Sequence, residues 1–366
     1  MSVAYLLRRL LLALPTLLGI MALNFAAVQV APGGPIEGIL AEIAGTDLEV
    51  SARMAGGSGD TGTSGGGPPE AGGGYRGAER LDPAFIAELE QRFGFDRPPL
   101  ERFLVMVGRY LTLDFGESWF RGGPVIDLVV ERLPVSISLG LWTTLIVHLI
   151  AVPLGIAKAV RDGSRFDVTS SLVIFAGNAV PTFVLALLLI LLFAGGSVFD
   201  VFPLQGLIGD GWQDWPWWRQ AASYLWHMAL PTAAMVVGSL AWLTMLTKHG
   251  FIDQLGRAYV QVARAKGLGA GRVLWVHVFR NAMLIVIAGL PGSLIGVLFT
   301  GVLMIELIFS LDGLGLLGFE AAMQRDYPVV FGVLWVTSLT GLAVRIAGDL
   351  VYTMVDPRID FGADNA

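Results

Sequence analysis

The sequence has no cysteine, only four histidines, and charged side chains at only 15% of its 366 positions. Without cysteine there is no disulfide framework and no thiolate chemistry, and nothing left to report on redox compartment. His148, His227, His249 and His277 show no metal-ligand spacing of the H-E-x-x-H kind. No Gly-x-Ser-x-Gly elbow occurs, so the usual serine-hydrolase turn is missing. The Gly-rich run at 55–77 is not followed by Gly-Lys-Ser/Thr, and no such triplet opens a helix elsewhere. The chain therefore does not hold a nucleotide in a Walker A loop. Asp167 and Asp200 are separated by a whole apolar run, which excludes them as an intramembrane carboxylate pair.

Long hydrophobic runs fill the space that charge leaves. Soluble domains carry about 25% charged residues; this chain is 54% hydrophobic. Runs of about twenty apolar residues, roughly 30 Å of helix, are long enough to cross a bilayer. Six are expected: 10–30, 134–158, 168–194, 225–246, 283–304 and 331–354. The first follows Arg8 and Arg9 but is longer than a signal-peptide core and lacks a clear small-x-small site, so it reads as an uncleaved span. The expected fold is therefore all-α and integral to the membrane, with six transmembrane helices.

Six spans place both termini on one side. Arg8, Arg9, Lys158, Arg161, Arg165 and the basic residues between Lys248 and Arg280 flank that side, against Arg219 and Arg325 in the short loops opposite. The positive side is cytoplasmic. The long segment 31–133 then faces outward, and 355–366 is a cytoplasmic tail. Residues 55–77, rich in Gly, Ser, Thr and Pro, cannot build a core and read as a flexible insert. From Asp82 to Leu113 the pattern turns helical, with Phe85, Leu89 and Phe93 at one-turn spacing. The Trp-rich stretch 195–224 (Trp212, Trp215, Trp217, Trp218) fits an interfacial aromatic belt or a docking surface for an external partner.

The polar, basic island from Phe251 to Asn281 organises the rest. Ile252, Leu255, Tyr259, Val262 and Ala263 fall on one arc of a helical wheel, while Asp253, Gln254, Arg257, Gln261 and Arg264 lie off it. Gly267 and Gly269 stop the helix. Such a helix between two spans either lies on the membrane or is held out for a soluble partner.

The residues Tyr259-Val-Gln-Val-Ala-Arg-Ala-Lys-Gly267, with His277, Arg280 and Asn281 behind them, resemble the cytoplasmic EAA loop of ABC-importer membrane subunits. They are most similar to the version in the dipeptide/oligopeptide, binding-protein-dependent permeases. The general pattern has Glu where Gln261 stands, and Leu-Pro where Phe279-Arg280 stands; peptide-type permeases share these departures. Tyr5-Leu-Leu-Arg-Arg-Leu, Ala31-Pro-Gly-Gly-Pro35, Arg132-Leu-Pro134, Gly313-Leu-Gly315, Arg325-Asp-Tyr-Pro328 and Asp356-Pro-Arg358 extend the resemblance over nearly the whole chain. It implies a type I importer permease core at 134–354 with a coupling loop at 248–281. Tyr259, Val262, Ala263, Arg264, Ala265, Lys266 and Gly267 would seat in the ATPase. It implies a second permease subunit, a cytoplasmic ABC ATPase that binds ATP and Mg, and a periplasmic peptide-binding protein. The bacterial inner membrane would be the site, and no nucleic acid is involved. The Gly-rich insert narrows the resemblance to a subgroup whose cargo is oligopeptides, with peptide antibiotics of the microcin C kind among them.

Polar groups inside spans are costly and mark function by default. Asn24, Gln29, His148, Asn178, Glu306, Arg345 and Asp349 qualify. Asn178 and Pro181 belong to a Gly177–Pro181 bend that could line a path. Arg345 and Asp349, four residues apart, either pair on one helix face or face that path. His148 reads as a helix–helix hydrogen bond more readily than as a proton relay. An ion-coupled secondary transporter or channel, and a scaffold recruiting through its outer loop, are the rival readings. The first would show inverted repeats and more buried charge than these spans display.

Overall fold

A computed structural model describes residues 3–30, 97–195, 199–209, 211–300 and 302–355. The Gly-rich insert, the helix start at Asp82 and the tail 356–366 lie outside the described residues. Within them the chain is helical, with no named strand and two isolated β-bridges. The helices are α1 (Val3–Val30), α2 (Pro99–Leu111), α3 (Val125–Val160), α4 (Arg165–Ala179), α5 (Thr182–Phe193), α6 (Trp217–Leu255), α7 (Ala258–Ala265), α8 (Phe279–Thr300), α9 (Val302–Ile308), α10 (Leu314–Gln324) and α11 (Tyr327–Val355).

Four described helical stretches are long and apolar enough to span a bilayer: Val125–Val160, Trp217–Leu255, Ala270–Gly296 and Tyr327–Val351. The third expected span is broken at the bend expected over Gly177–Pro181. Its two halves, α4 and α5, meet at 93°, and counting them together gives five spans. The break falls at Val180–Pro181. The Pro181 ring cannot continue the helix, and Val180 before it is pushed to an extended conformation (ψ 123°). α1 carries a shorter apolar stretch, Leu14–Leu23. The second span begins earlier than expected, at Val125 rather than Pro134, with Pro134 and Pro153 both inside the helix.

The chain divides into two compact units. The larger comprises Met1–Leu14, Val129–Phe319 and Val333–Ala366. Its central helix is α6, and close approach to α6 depends on small residues. A Cβ at Gly155 of α3 would sit 2.6 Å from the Thr247 side chain and 2.7 Å from the Thr244 carbonyl oxygen. A Cβ at Gly238 would sit 2.7 Å from Thr182 Oγ1, on α5. Small residues let membrane helices pack backbone to backbone in this way.

One end of this unit is closed by a turn wrapped over a buried acid. Glu306 of α9 is fully buried. Its carboxylate accepts from Ser136 Oγ at 2.8 Å and from the Leu316 N–H at 2.7 Å, and Ser136 Oγ in turn accepts from the Leu314 N–H at 2.8 Å. A side chain at Gly313 would overlap the Glu306 carboxyl group. The Gly313-Leu-Gly315 sequence thus has a physical cause: the backbone must lie directly on the acid.

The smaller unit comprises Pro15–Leu128 and Glu320–Gly332. Its described part joins α2 and the loop after it to the α10–α11 junction. Asp326, fully buried, accepts from Ser118 Oγ at 2.5 Å and from the Trp119 N–H at 3.3 Å. Arg121 pairs with Glu320 at 2.5 Å, and Trp119 meets Tyr327 edge-on at 5.7 Å. The Arg325-Asp-Tyr-Pro328 sequence is therefore the anchor for the loop that carries Ser118 and Trp119.

Candidate functional site

The island between α6 and α8 does not form one continuous helix. α6 ends at Leu255, Gly256 and Arg257 make a break, and α7 restarts at Ala258. The break resets the helical phase, which corrects the expected apolar arc. Val260 is fully buried and Ala263 is 8% exposed, whereas Val262 is 54% exposed. At 100° per residue, Tyr259, Val260 and Ala263 share the inward face, and Ala258, Gln261, Val262 and Ala265 share the outward one. Arg264 and Lys266 are exposed on its flanks.

α7 ends as its sequence dictates. Gly267 takes φ +81°, the Gly267 N–H donates to the Arg264 carbonyl at 2.9 Å and the Leu268 N–H reaches back to the Ala263 carbonyl at 3.2 Å. This is a Schellman closure, with the glycine in the left-handed position. Gly269 has a different part from the expected one. At φ −61° and ψ 149° it starts the next helical turn instead of ending α7.

The inward face of α7 rests on its own chain. Val260 and Ala263 pack in one cluster with Ile156 and Ala159 of α3, Phe251 of α6, Val273 and Val278 on the approach to α8, and Ala282 of α8. The Tyr259 hydroxyl donates to Gln254 Oε1 at 3.0 Å and accepts from Asn281 Nδ2 at 3.4 Å. Tyr259 therefore ties α6, α7 and α8 together. Residues 273–278, which lead into α8, wind as a π-helix. Asp253 and Arg257 pair at 2.9 Å on the surface, and this contact raises the Arg257 guanidinium further above its ordinary range.

Directly behind this platform lies a cluster absent from the sequence reading. Lys158 is fully buried at the end of α3. Its ammonium donates to the Asp167 carbonyl at 2.7 Å, to Ser170 Oγ at 2.8 Å and to Ser171 Oγ at 2.7 Å, and it pairs with Asp167 Oδ1 at 3.0 Å. Lys248 of α6 pairs with Asp167 Oδ2 at 2.7 Å and with Asp162 at 2.8 Å. Gly163 N–H also donates to Asp167 at 3.1 Å. Lys158 and Lys248 count toward the basic side of the sequence. In the fold they are interior groups that join three helices. Lys158, Asp162 and Asp167 flanking a Gly163 turn were the available signal, but Lys248 is 81 residues from Asp167.

The residues expected along a path are not gathered in one place. Asn178 and Pro181 are exposed at the α4–α5 bend. On α11, Arg345 is exposed and Asp349 is half-buried. None of the four lines the large cleft of the bigger unit, which opens between α3, α5, α6 and α8. His148 does line it, and it bonds to its own helix: Nδ1 lies 2.8 Å from the Thr144 carbonyl oxygen. The expected helix–helix hydrogen bond is not what this ring makes. In the Trp-rich stretch, Trp212 and Trp215 hold the loop through Gln220, while Trp217 and Trp218 are exposed.

Comparison with known proteins bears on this arrangement. Residues 151–361 match the family model described as binding-protein-dependent transport system inner membrane component. The peptidoglycan transport system permease protein YejB of Agrobacterium fabrum is 54% identical over 98% of this chain and 98% of its own. The inner membrane ABC transporter permease protein YejB of Escherichia coli O157:H7 is 52% identical over 98% and 99%. The oligopeptide transport system permease protein AppB of Bacillus subtilis is 30% identical over 98% and 99%. Among solved structures, the MetNI methionine ABC transporter in an inward-facing conformation aligns with 63% of this chain and 97% of its own, at 17% identity and a TM-score of 0.48. The chain belongs to the binding-protein-dependent inner-membrane permeases of ABC importers, as a permease subunit and not an enzyme.

Proposed function

We propose that this chain forms half of the translocation pore of an ATP-driven peptide importer in a bacterial inner membrane. The observation that carries the reading is likeness over nearly the full length to permeases named for oligopeptide and peptidoglycan transport. Peptide is the chemistry common to those cargoes. Peptide antibiotics of the microcin C kind fall within the same class. In this reading the chain has six spans with both termini in the cytoplasm. A second permease subunit completes the pore, a periplasmic binding protein delivers cargo, and a separate ATPase holds ATP and Mg.

The short helix α7 is then the coupling element. Its outward residues Gln261, Val262 and Ala265 enter the ATPase, with Arg264 and Lys266 beside them to meet acidic side chains. Tyr259, Ala263 and Gly267 act from behind. They fix how α7 stands on the bundle. Closure of the ATPase pair pushes α7, and the cluster around Val260 and Phe251 passes the displacement to α3, α6 and α8 as packed bodies.

Co-purification from membranes tests this reading, with ATP turnover followed as peptide-loaded binding protein is added. An ATPase that accompanies the chain, with turnover rising on addition, is the expected result. A chain that purifies alone and moves solute under an ion gradient would refute it.

A further inference from the structure

The cleft between α3, α5, α6 and α8 encloses about 630 Å³, the size of a site for a small organic molecule. Its floor is open because Cβ atoms at Gly292 and Gly296 would meet nothing within 4 Å. Its walls include Val147, Trp242 and Leu243. Two polar groups on the α3 wall have no partner. Thr144 is 9% exposed and its hydroxyl is unbonded. His148 Nε2 is also buried and unbonded. The tautomer follows from the contact on the other nitrogen. A carbonyl oxygen can only accept, so Nδ1 carries the hydrogen, and the tautomer with that single hydrogen offers a lone pair at Nε2. Buried polar groups left in this way are costly unless a ligand serves them.

The chemistry of those groups selects the occupant. A lipid chain brings no donor. A transmembrane helix packed into the cleft has already spent its backbone N–H groups internally. An extended peptide carries a free N–H at nearly every residue and apolar side chains between them. We infer that this cleft is a peptide-holding subsite in which a main-chain N–H of the cargo donates to His148 Nε2, Thr144 Oγ1 bonds the neighbouring peptide group, and an apolar side chain lies against Trp242. The inference rests on the importer reading above.

The test uses the complete importer, with its partner subunits and binding protein, in proteoliposomes. The probes are tri-leucine for uptake and a tripeptide carrying a benzophenone side chain for photolabelling. Thr144→Val and His148→Phe should each lower tri-leucine uptake about five- to tenfold, the worth of one hydrogen bond. Thr144→Val removes an unbonded hydroxyl, so its melting temperature should equal or exceed that of the parent chain. The photolabel should land near Trp242 and Ser293 and be lost in His148→Phe. Uptake that survives both substitutions, a label placed elsewhere, or uptake and melting temperature that fall together would overturn the subsite and leave the importer reading standing. A parent complex that moves no tri-leucine would sink both.

Discussion

Asp167 and Glu306 are both buried carboxylates of the larger unit, and they are satisfied in opposite ways. Asp167 sits between two ammonium groups, Lys158 and Lys248. Glu306 has no ion-pair partner among the described residues and is held by a hydroxyl and a backbone N–H. Their contacts on α3, Lys158 and Ser136, are 22 residues apart, or roughly 33 Å along the helix. One end of the unit, behind α7, is pinned by charge. The other is pinned by a glycine turn shaped to its acid. Charge pairing joins α3, α4 and α6 through long side chains, whereas the turn fixes backbone. The first ties helices through side chains that can re-aim, and the second fixes the path of the backbone.

Substitutions at the two ends should separate these modes. Asp167→Asn leaves two ammonium groups in the interior beside a neutral amide, and should cost about 3–5 kcal/mol. Thermal unfolding of the purified chain in detergent measures it, and a loss below 1 kcal/mol would mean that water reaches the cluster. Gly313→Ala should cost about 1–3 kcal/mol by forcing the α9–α10 turn off the Glu306 carboxyl group. Glu306→Gln keeps the shape but turns an amide donor toward one donor partner, at about 1–2 kcal/mol. If it proved more harmful than Asp167→Asn, the contrast between the ends would be reversed.

A second pair tests the face assignment at the charged end. Ala263→Asp would bury a carboxylate in the α7 platform and reduce the amount of folded protein. Val262→Asp should leave the yield unchanged and the stability within about 0.5 kcal/mol of the parent, and in the importer reading it abolishes peptide-stimulated ATP turnover. Equal yields for the two would undo the inward and outward assignment. The smallest effect is expected at an exposed acid. Arg109 holds Asp114 below the usual carboxylate range, with the Gly116 N–H assisting. Because the folded value is depressed, its contribution is present above the unfolded value near 3.9 and fades as pH falls through the folded one. The advantage of the parent over Asp114→Asn should shrink on acidification below about pH 4, and added salt should weaken it at neutral pH. Persistence of the full difference at pH 2 would contradict the pairing.

Features written locally in the chain were legible from sequence. Hydropathy located the long helices, Gly177–Pro181 located the bend, and the polar island located α7. Gly267 stops its helix because only the left-handed conformation closes that turn. What stayed hidden needed tertiary partners. The break at Gly256–Arg257 turned Val262 outward and Val260 inward, and no wheel drawn through it could have done so. Lys158 looked like a surface charge until Asp167, Ser170 and Ser171 were folded onto it. His148 looked like a cross-helix bond until its own Thr144 carbonyl took Nδ1.

The turn over Glu306 has an evolutionary consequence. The space a side chain at position 313 would need is the space the acid fills, so the glycine is the imprint of a residue seven positions earlier. Neither position can drift freely while the other stands. Loss of the carboxylate first would make alanine at 313 admissible, while alanine first meets a steric block. The order of change is thus biased, and the two sites form an epistatic pair that a lineage leaves at less cost by one path than by the other.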